Sequence, residues 1–251
     1  MTPDALPTPE QAAAARGWRR VLAFGAHPDD LDFGAAATVA GLTRAGVEVT
    51  YCVMTDGDAG GFDPAVDRVD IPAIRRAEQE AAGKEVGVSD IRFLGYQDGR
   101  LEATQELRRD ISRVIRDVKP QRMVIQSPDR NWLRLPASHP DHLAAGEAAI
   151  AAIYPDARNP FAHVELLRDE GLDAWTVSET WLMAHAENDH FVDITDTFDR
   201  KLAALRAHAS QTAHMDDLEE RLRGWATGNA MLGGLGDGRL AEAFKVVQTS
   251  F

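Results

Sequence analysis

Short apolar runs alternate with longer, helix-like segments along the first 150 residues. Predicted strands lie at residues 21–25, 47–55, 89–94 and 122–126. Predicted helices lie at residues 33–45, 71–86, 102–118 and 141–153. Because the strand-like runs have no polar face, they suit a sheet that is covered on both sides. The pattern therefore predicts an α/β protein with a mainly parallel sheet flanked by helices.

The alternation breaks once and then resumes. Residues 155–176 are irregular and are expected to form an excursion over the surface. Strand-like segments then return at 175–185 and 191–195, followed by a helical run at 196–208. No internal repeat or low-complexity linker divides the chain, so residues 1–251 are predicted to form a single domain.

Two segments near the ends of the chain are expected to be flexible. Residues 1–17 begin with a proline-rich stretch and are predicted to be a flexible tail. The segment after 208 is helix-like to about Trp225, and glycines are frequent from 224 to 238. Because glycine restricts the backbone little, residues 224–238 predict a mobile surface loop, with a lid as the alternative.

Polar side chains follow two of the predicted strands. The first strand runs into His27, Pro28, Asp29 and Asp30, and the strand at 122–126 is followed by the sequence SHPDH at 138–142. In open α/β sheets, ligands bind outside the carboxyl ends of the strands. Each cluster by itself is equally typical of a turn with a helix cap. Two clusters on one sheet edge instead predict a single site.

The side chains in these clusters suit a catalytic metal ion. An imidazole and a carboxylate from the first cluster, with an imidazole from the second, form a donor set for zinc or another divalent transition metal. Three protein ligands leave a position open for water, as in catalytic sites. The neighbouring Asp29 is not needed as a ligand and is free to take a proton from that water.

Composition excludes several other classes of function. The formal net charge of −13 argues against nucleic acid or an anionic membrane as the main partner, since both are polyanions. The single cysteine, Cys52, permits neither a disulfide framework nor a cysteine zinc site. No run approaches the length of a membrane span and no signal sequence is evident, so a soluble, cytoplasmic protein is expected.

The two clusters also carry a family resemblance. AHPDD at 26–30 and HPDH at 139–142 resemble the LmbE-like family, also called the PIG-L or GlcNAc-PI de-N-acetylase family. Further matches, in family order, are TDGDAGG (55–61), RRAEQEAA (75–82), LGYQDG (94–99) and AHASQ (207–211). The resemblance implies a Rossmann-like fold and a zinc-dependent amidase that removes acetyl groups from N-acetylated amino sugars. Ferrous iron is the alternative metal.

Residue roles follow from the resemblance position by position. It implies that His27, Asp30 and His142 bind zinc, that Asp29 is the general base, and that His139 is a second catalytic group, protonated to hold the oxyanion. The residues expected to contact substrate are Arg75, Asp98, Asp56 and Gln211.

One position departs from the family pattern. Some deacetylases of the family carry a tyrosine two residues before the HPDH motif, where this chain has Ala137. Tyr96 and Trp132 are the candidates to replace it.

Several alternatives stay open at the level of sequence. Within the family, the rival activity is an amidase that cleaves a mycothiol-type thiol conjugate. Two histidines and a carboxylate are also the ligands of non-haem iron oxygenases, although the βα alternation contradicts their usual β-barrel architecture. A binuclear phosphoesterase needs additional bridging carboxylates. A non-catalytic sugar- or metal-binding module and a homo-oligomer are further alternatives. No GxGxxG, GxxxxGK or GxSxG motif supports nucleotide binding or a serine hydrolase.

Overall fold

The structure is a computed structural model that describes residues 8–250. Its seven strands are β1 (Arg20–Gly25), β2 (Glu48–Thr55), β3 (Asp90–Tyr96), β4 (Arg122–Gln126), β5 (Glu179–Met183), β6 (His190–Asp193) and β7 (Ala241–Gln248). They form one sheet in the order β3-β2-β1-β4-β5-β7-β6. The pairings among β1 to β5 are parallel, and β7 pairs antiparallel with both β5 and β6. The predicted Rossmann-like, mainly parallel sheet is confirmed.

Helices cover both faces of the sheet. They are α1 (Pro9–Arg16), α2 (Asp30–Arg44), α3 (Ile71–Glu85), α4 (Gln105–Val118), α5 (Pro140–Ala151), α6 (Val164–Arg168), α7 (Phe198–Ala207), α8 (Ala209–Thr212) and α9 (Leu218–Leu232). Successive side chains of β1 point to opposite faces: Val21 and Ala23 join the core under α2 and α7, while Leu22 and Phe24 join the core under α4 and α5. The buried strands therefore separate two apolar layers.

The order of the strands places a crevice beside β1. This strand pairs with β2 on one side and β4 on the other, so the connections leave it in opposite directions. That arrangement is the topological switch point, where α/β proteins bind ligands. Helix α5 lies close to the end of β4, because a Cβ on Gly146 would stand 2.6 Å from the carbonyl oxygen of Gln126. The His27 and SHPDH segments consequently meet at one edge.

Two of the segments expected to be flexible are largely helical. Residues 9–16 form α1, which begins with a capping box between Thr8 and Gln11 and ends at Gly17; the rest of the predicted tail, residues 1–7, lies outside the described residues. Helix α9 continues through the predicted loop to Leu232, because Leu222, Ala226 and Ala230 bury one face at a spacing of four. The predicted loop at 224–238 is therefore wrong for residues 224–232.

The irregular segment at 155–176 is partly ordered by one buried arginine. The guanidinium of Arg116 donates to the carbonyl oxygens of Asp156, Ala157, Asn159 and Ala162. In the part of the chain that the structure describes, no helix combines the length and apolarity needed to cross a bilayer.

Candidate active site

Asp30 connects the two polar clusters. Its carboxylate oxygens lie 3.2 Å from Nδ1 of His27 and 3.0 Å from Nε2 of His142. Asp30 also accepts the backbone N–H of His27 at 2.6 Å. On the far side of its ring, Nδ1 of His142 lies 3.3 Å from the carbonyl oxygen of Ala137, which places the ring hydrogen there and leaves Nε2 as the free lone pair. Sequence positions 27, 30 and 142 thus share one point.

Two further carboxylates orient His27. Its Nε2 lies 3.1 Å from Asp98 and 3.2 Å from Asp141. Asp141 is buried and also accepts the backbone N–H groups of Gly99 and Leu101, so its own position is fixed. With its Nε2 hydrogen shared between two carboxylates, His27 presents the Nδ1 lone pair toward Asp30. Carboxylates hold metal-binding histidines in this way.

The charges in this cluster shift each other's pKa. Burial lowers the pKa of His27, but Asp30, Asp141 and Asp98 outweigh it, so the net pKa is raised well above its ordinary value. Burial likewise opposes ionisation of Asp30, but His142 and His27 outweigh it and hold the pKa of Asp30 well below its ordinary value. A carboxylate that remains ionised next to two imidazoles is a suitable ligand set for a divalent cation.

Among residues 8–250, two groups of side chains have ligand atoms close enough to share an ion. One is His27, His139 and His142, and the other is His27, Asp98 and Asp141, each within 4.8 Å. In the second group the carboxylates already accept backbone N–H groups. In the first, Nδ1 of His139 accepts the N–H of Asp141 as the cap of α5. Asp30 contacts both His27 and His142, so the donor set fits a metal held by these three.

Replacing Asp141 with asparagine tests its orienting role. We expect Asp141→Asn to weaken metal affinity about 10–100-fold, because the amide keeps the shape and loses the charge that fixes the tautomer of His27. Competition with a chromogenic chelator measures the affinity. Asp110→Asn, a carboxylate bonded to Tyr96, is the control and should bind metal as the wild type does. Equal affinity in the Asp141 and Asp110 variants would count against the role.

Asp29 lies beside the metal ligands in an unusual backbone conformation. Its φ is 98°, in the left-handed region, and its side chain makes no capping hydrogen bond to α2. Such a conformation costs about 1–3 kcal/mol in a residue other than glycine. Burial raises the pKa of Asp29 to about 6, although Arg75 opposes the shift. The turn-and-cap interpretation is therefore wrong for Asp29, and its pKa suits a general base.

Arg75 contacts Asp29 directly. The guanidinium is only 3% exposed and donates to the carboxylate of Asp29 at 3.0 Å and to the carbonyl oxygen of Pro28. It lies flat against the TDGDAGG segment, where a Cβ on Gly60 would stand 2.3 Å from Nη1. The glycine there permits this close approach. Arg75 was expected to contact substrate from the sequence, and the structure places it behind the carboxylate instead.

A buried polar chain holds the backbone of Asp29. The Asp29 N–H donates to Oε1 of Gln79 at 3.0 Å, and Nε2 of Gln79 donates to Asp32 at 2.7 Å. His208, from the end of α7, contacts the same Asp32 oxygen at 2.8 Å, and both side chains are fully buried. The sequence interpretation missed Gln79, although it lies one helical turn beyond Arg75 and thus on the same face of α3.

Removing this amide should affect turnover more than binding. We expect Gln79→Leu to lower kcat roughly tenfold, with KM and metal content near the wild-type values, because an unheld Asp29 leaves its catalytic position. Glu80→Leu, one residue along α3 and exposed, is the control. If kcat is unchanged while the melting temperature drops, Gln79 is structural only.

The other residues expected to contact substrate lie around this centre. Asp98 contacts His27, as described, and Asp56 is half-buried with Arg76 at 3.7 Å. Gln211 lies next to Gly60, beside Arg75. The hydroxyl of Tyr96 donates to Asp110 at 2.8 Å, and Trp132 is 80% exposed, so neither replaces a tyrosine at Ala137.

A cavity of about 550 Å³ opens from the candidate metal centre. Asp30 and His142 lie on its wall, and it is bounded by the loop before α5, the end of β5 and helix α9. The volume is sufficient for a ligand of one or two sugar units. The site thus combines a His-Asp-His donor set, a buried carboxylate and an adjoining pocket at the switch point of a doubly wound sheet.

The comparisons with known proteins agree with this class of site. The family described as PIG-L, GlcNAc-PI de-N-acetylase, matches residues 22–153, and the chain belongs to this family. Diacetylchitobiose deacetylase of Thermococcus kodakarensis is 34% identical over 77% of this chain and 70% of the relative. A probable N-acetyl-α-D-glucosaminyl L-malate deacetylase 2 of Bacillus cereus is 32% identical over 82% of this chain and 90% of the relative.

A solved structure extends the match to the fold. N,N′-diacetylchitobiose deacetylase from Pyrococcus horikoshii, in complex with its inhibitor, has a TM-score of 0.86 and 31% identity, covering 94% of this chain and 86% of that one. These relatives are deacetylases, so the chain is a hydrolase acting on carbon–nitrogen bonds.

Proposed function

We propose that the protein removes the acetyl group from an N-acetylated amino sugar, or from a glycoside of one, with zinc as the physiological metal. The observation that carries the proposal is the contact of Asp30 with both His27 and His142, with Asp29 adjoining on the same turn. The deacetylase relatives support the reaction, since all of those described above act on acetylated amino sugars by name. The proposed partner is a small N-acetylated molecule.

The metal and the protein side chains have separate tasks in this proposal. Bound by His27, Asp30 and His142, a divalent ion would acidify water and polarise the acetamide carbonyl. Asp29 takes the proton of the attacking water, and Arg75 keeps the carboxylate aimed at the site. Asp29 then returns this proton to the amine that leaves.

His139 is proposed to stabilise the developing negative charge on the carbonyl oxygen. Its Nδ1 accepts the N–H of Asp141, so the ring hydrogen is on Nε2. Burial, reinforced by His27 and His142, lowers the pKa of His139. A neutral imidazole with its N–H facing the site donates a hydrogen bond to the oxyanion. We therefore replace the protonated His139 of the sequence interpretation with a neutral donor.

The geometry bears on the alternatives as well. Residues 8–250 contribute to one continuous sheet, which supports a single domain. A non-catalytic binding module needs neither a buried carboxylate beside the ligands nor an arginine holding it. Cleavage of a mycothiol-type conjugate would use the same centre, so only the substrate distinguishes that alternative.

The proposal is tested with a panel of substrates. Zinc-loaded protein is incubated with N-acetylglucosamine, its glycosides, diacetylchitobiose and an N-acetylated thiol conjugate. Acetate and free amine are then measured together. Equal amounts of acetate and sugar amine are expected from at least one glycoside. Turnover of the thiol conjugate alone would favour the rival amidase, and consumption of oxygen would favour an oxygenase.

A further inference from the structure

The cavity beside the metal centre contains a cation that no acid neutralises. Arg134 and Lys201 both line it. Lys201 is buried and pairs with Glu242 at 2.6 Å. For Arg134, burial alone lowers the pKa, with no contribution from a neighbouring carboxylate among the described residues. A partly desolvated guanidinium without a counter-ion is costly, so it is better placed when an anion is bound.

The position of Arg134 is set by surrounding contacts. Its backbone N–H donates to the side-chain oxygen of Asn131 at 3.1 Å, and its carbonyl oxygen accepts the N–H of Ala137 at 3.0 Å. Asn131 is buried and also receives support from Ser138, whose hydroxyl accepts the Asn131 N–H at 2.7 Å. The loop that carries Arg134 therefore leads directly into the HPDH segment.

An aromatic ring from the opposite wall holds the guanidinium. The Cζ of Arg134 lies 4.5 Å from the centroid of the Trp225 ring, on helix α9. An arginine stacked on an aromatic face keeps the N–H groups at its edge free for a second partner. Trp225 is 46% exposed and also lines the cavity. The two side chains therefore form a flat cationic wall at a distance from the reacting acetyl group.

We propose that Arg134, stacked on Trp225, forms a subsite for a carboxylate on the aglycone of the substrate, the group attached to the N-acetylated sugar. This inference rests on the proposed deacetylase function and narrows its substrate class to acidic glycosides. A planar guanidinium matches a carboxylate through two parallel hydrogen bonds. The overall charge of −13 repels anions, so recognition of an acidic substrate requires such a local cation.

A matched pair of substrates tests the subsite. One is an N-acetylglucosaminide whose aglycone bears a carboxylate, and the other is its primary amide, which has nearly the same shape without the charge. We expect wild-type kcat/KM to be about 10–100-fold higher for the acid. Arg134→Met should abolish this preference while the rate on N-acetylglucosamine itself and the metal content stay unchanged. Arg134→Lys should keep part of it.

Arg130→Met is the matched control, because Arg130 lies on the same loop, faces Trp132 and does not line the cavity. It should retain the preference for the acid. Calorimetric binding of the same pair to wild type and Arg134→Met gives the comparison without turnover. Equal affinity for acid and amide would overturn the subsite and leave the proposed function intact. Failure of every N-acetylated sugar to release acetate would instead overturn the proposed function.

Discussion

Asp29→Asn is expected to leave the metal bound and to lower kcat by about 10²–10⁴-fold, the usual contribution of a general base. Asparagine has the shape of aspartate and keeps a hydrogen-bond acceptor for Arg75, but it cannot take a proton. Because Asp29 is buried and has a pKa raised to about 6, its carboxylate is basic enough to accept one during the reaction. Elemental analysis and steady-state acetate release, measured on the same preparation, check both parts.

The adjoining carboxylate is the control for this experiment. Asp30→Asn should lose metal, since Asp30 contacts both His27 and His142, whereas Asp29 contacts Arg75. If Asp29→Asn loses the metal and Asp30→Asn keeps it, the roles of these two residues have been exchanged.

His142→Ala is expected to reduce metal content to background and to abolish acetate release. The variant removes one of three ligands, and it leaves Asp30 beside a single imidazole. His185→Ala is the matched control: His185 lines the same cavity but pairs with Asp129 at 3.2 Å, away from the centre. It should keep its metal and most of its activity.

Added imidazole supplies a second check on His142. If the ring acts only as a ligand, imidazole in the buffer should restore part of the metal content of His142→Ala. Full metal occupancy in His142→Ala without any addition would remove this residue from the ligand set. Metal loss in both histidine variants would indicate a general loss of structure, which melting curves detect.

The sequence predicted the part of the fold that repeats and missed the part that does not. Continuous apolar runs such as Val49–Met54 can lie only inside a covered sheet, so the parallel strands followed from composition. Strand β7 (Ala241–Gln248) was not predicted, because it inserts antiparallel between β5 and β6, after two intervening helices. Nothing local in a late strand indicates which neighbours it joins.

The candidate site shows a similar division. Motif positions and the carboxyl-edge rule were sufficient to predict that His27, Asp30 and His142 lie together, and the structure brings them within hydrogen-bond distance. The roles of Arg75 and Gln79 behind Asp29 depend on how α3 packs against the start of α2. That packing is a tertiary property, so a helix pattern alone indicated only an arginine on a charged helix.

The most direct test of the account measures metal content and acetate release together during reconstitution. Protein stripped with a chelator is titrated with zinc, and acetate release from an N-acetylated glucosaminide is measured at each step. The account predicts that activity rises in proportion to bound zinc and reaches its plateau at about one ion per chain, and that His142→Ala shows neither effect. Acetate release by the stripped protein at the rate of the loaded protein would contradict it.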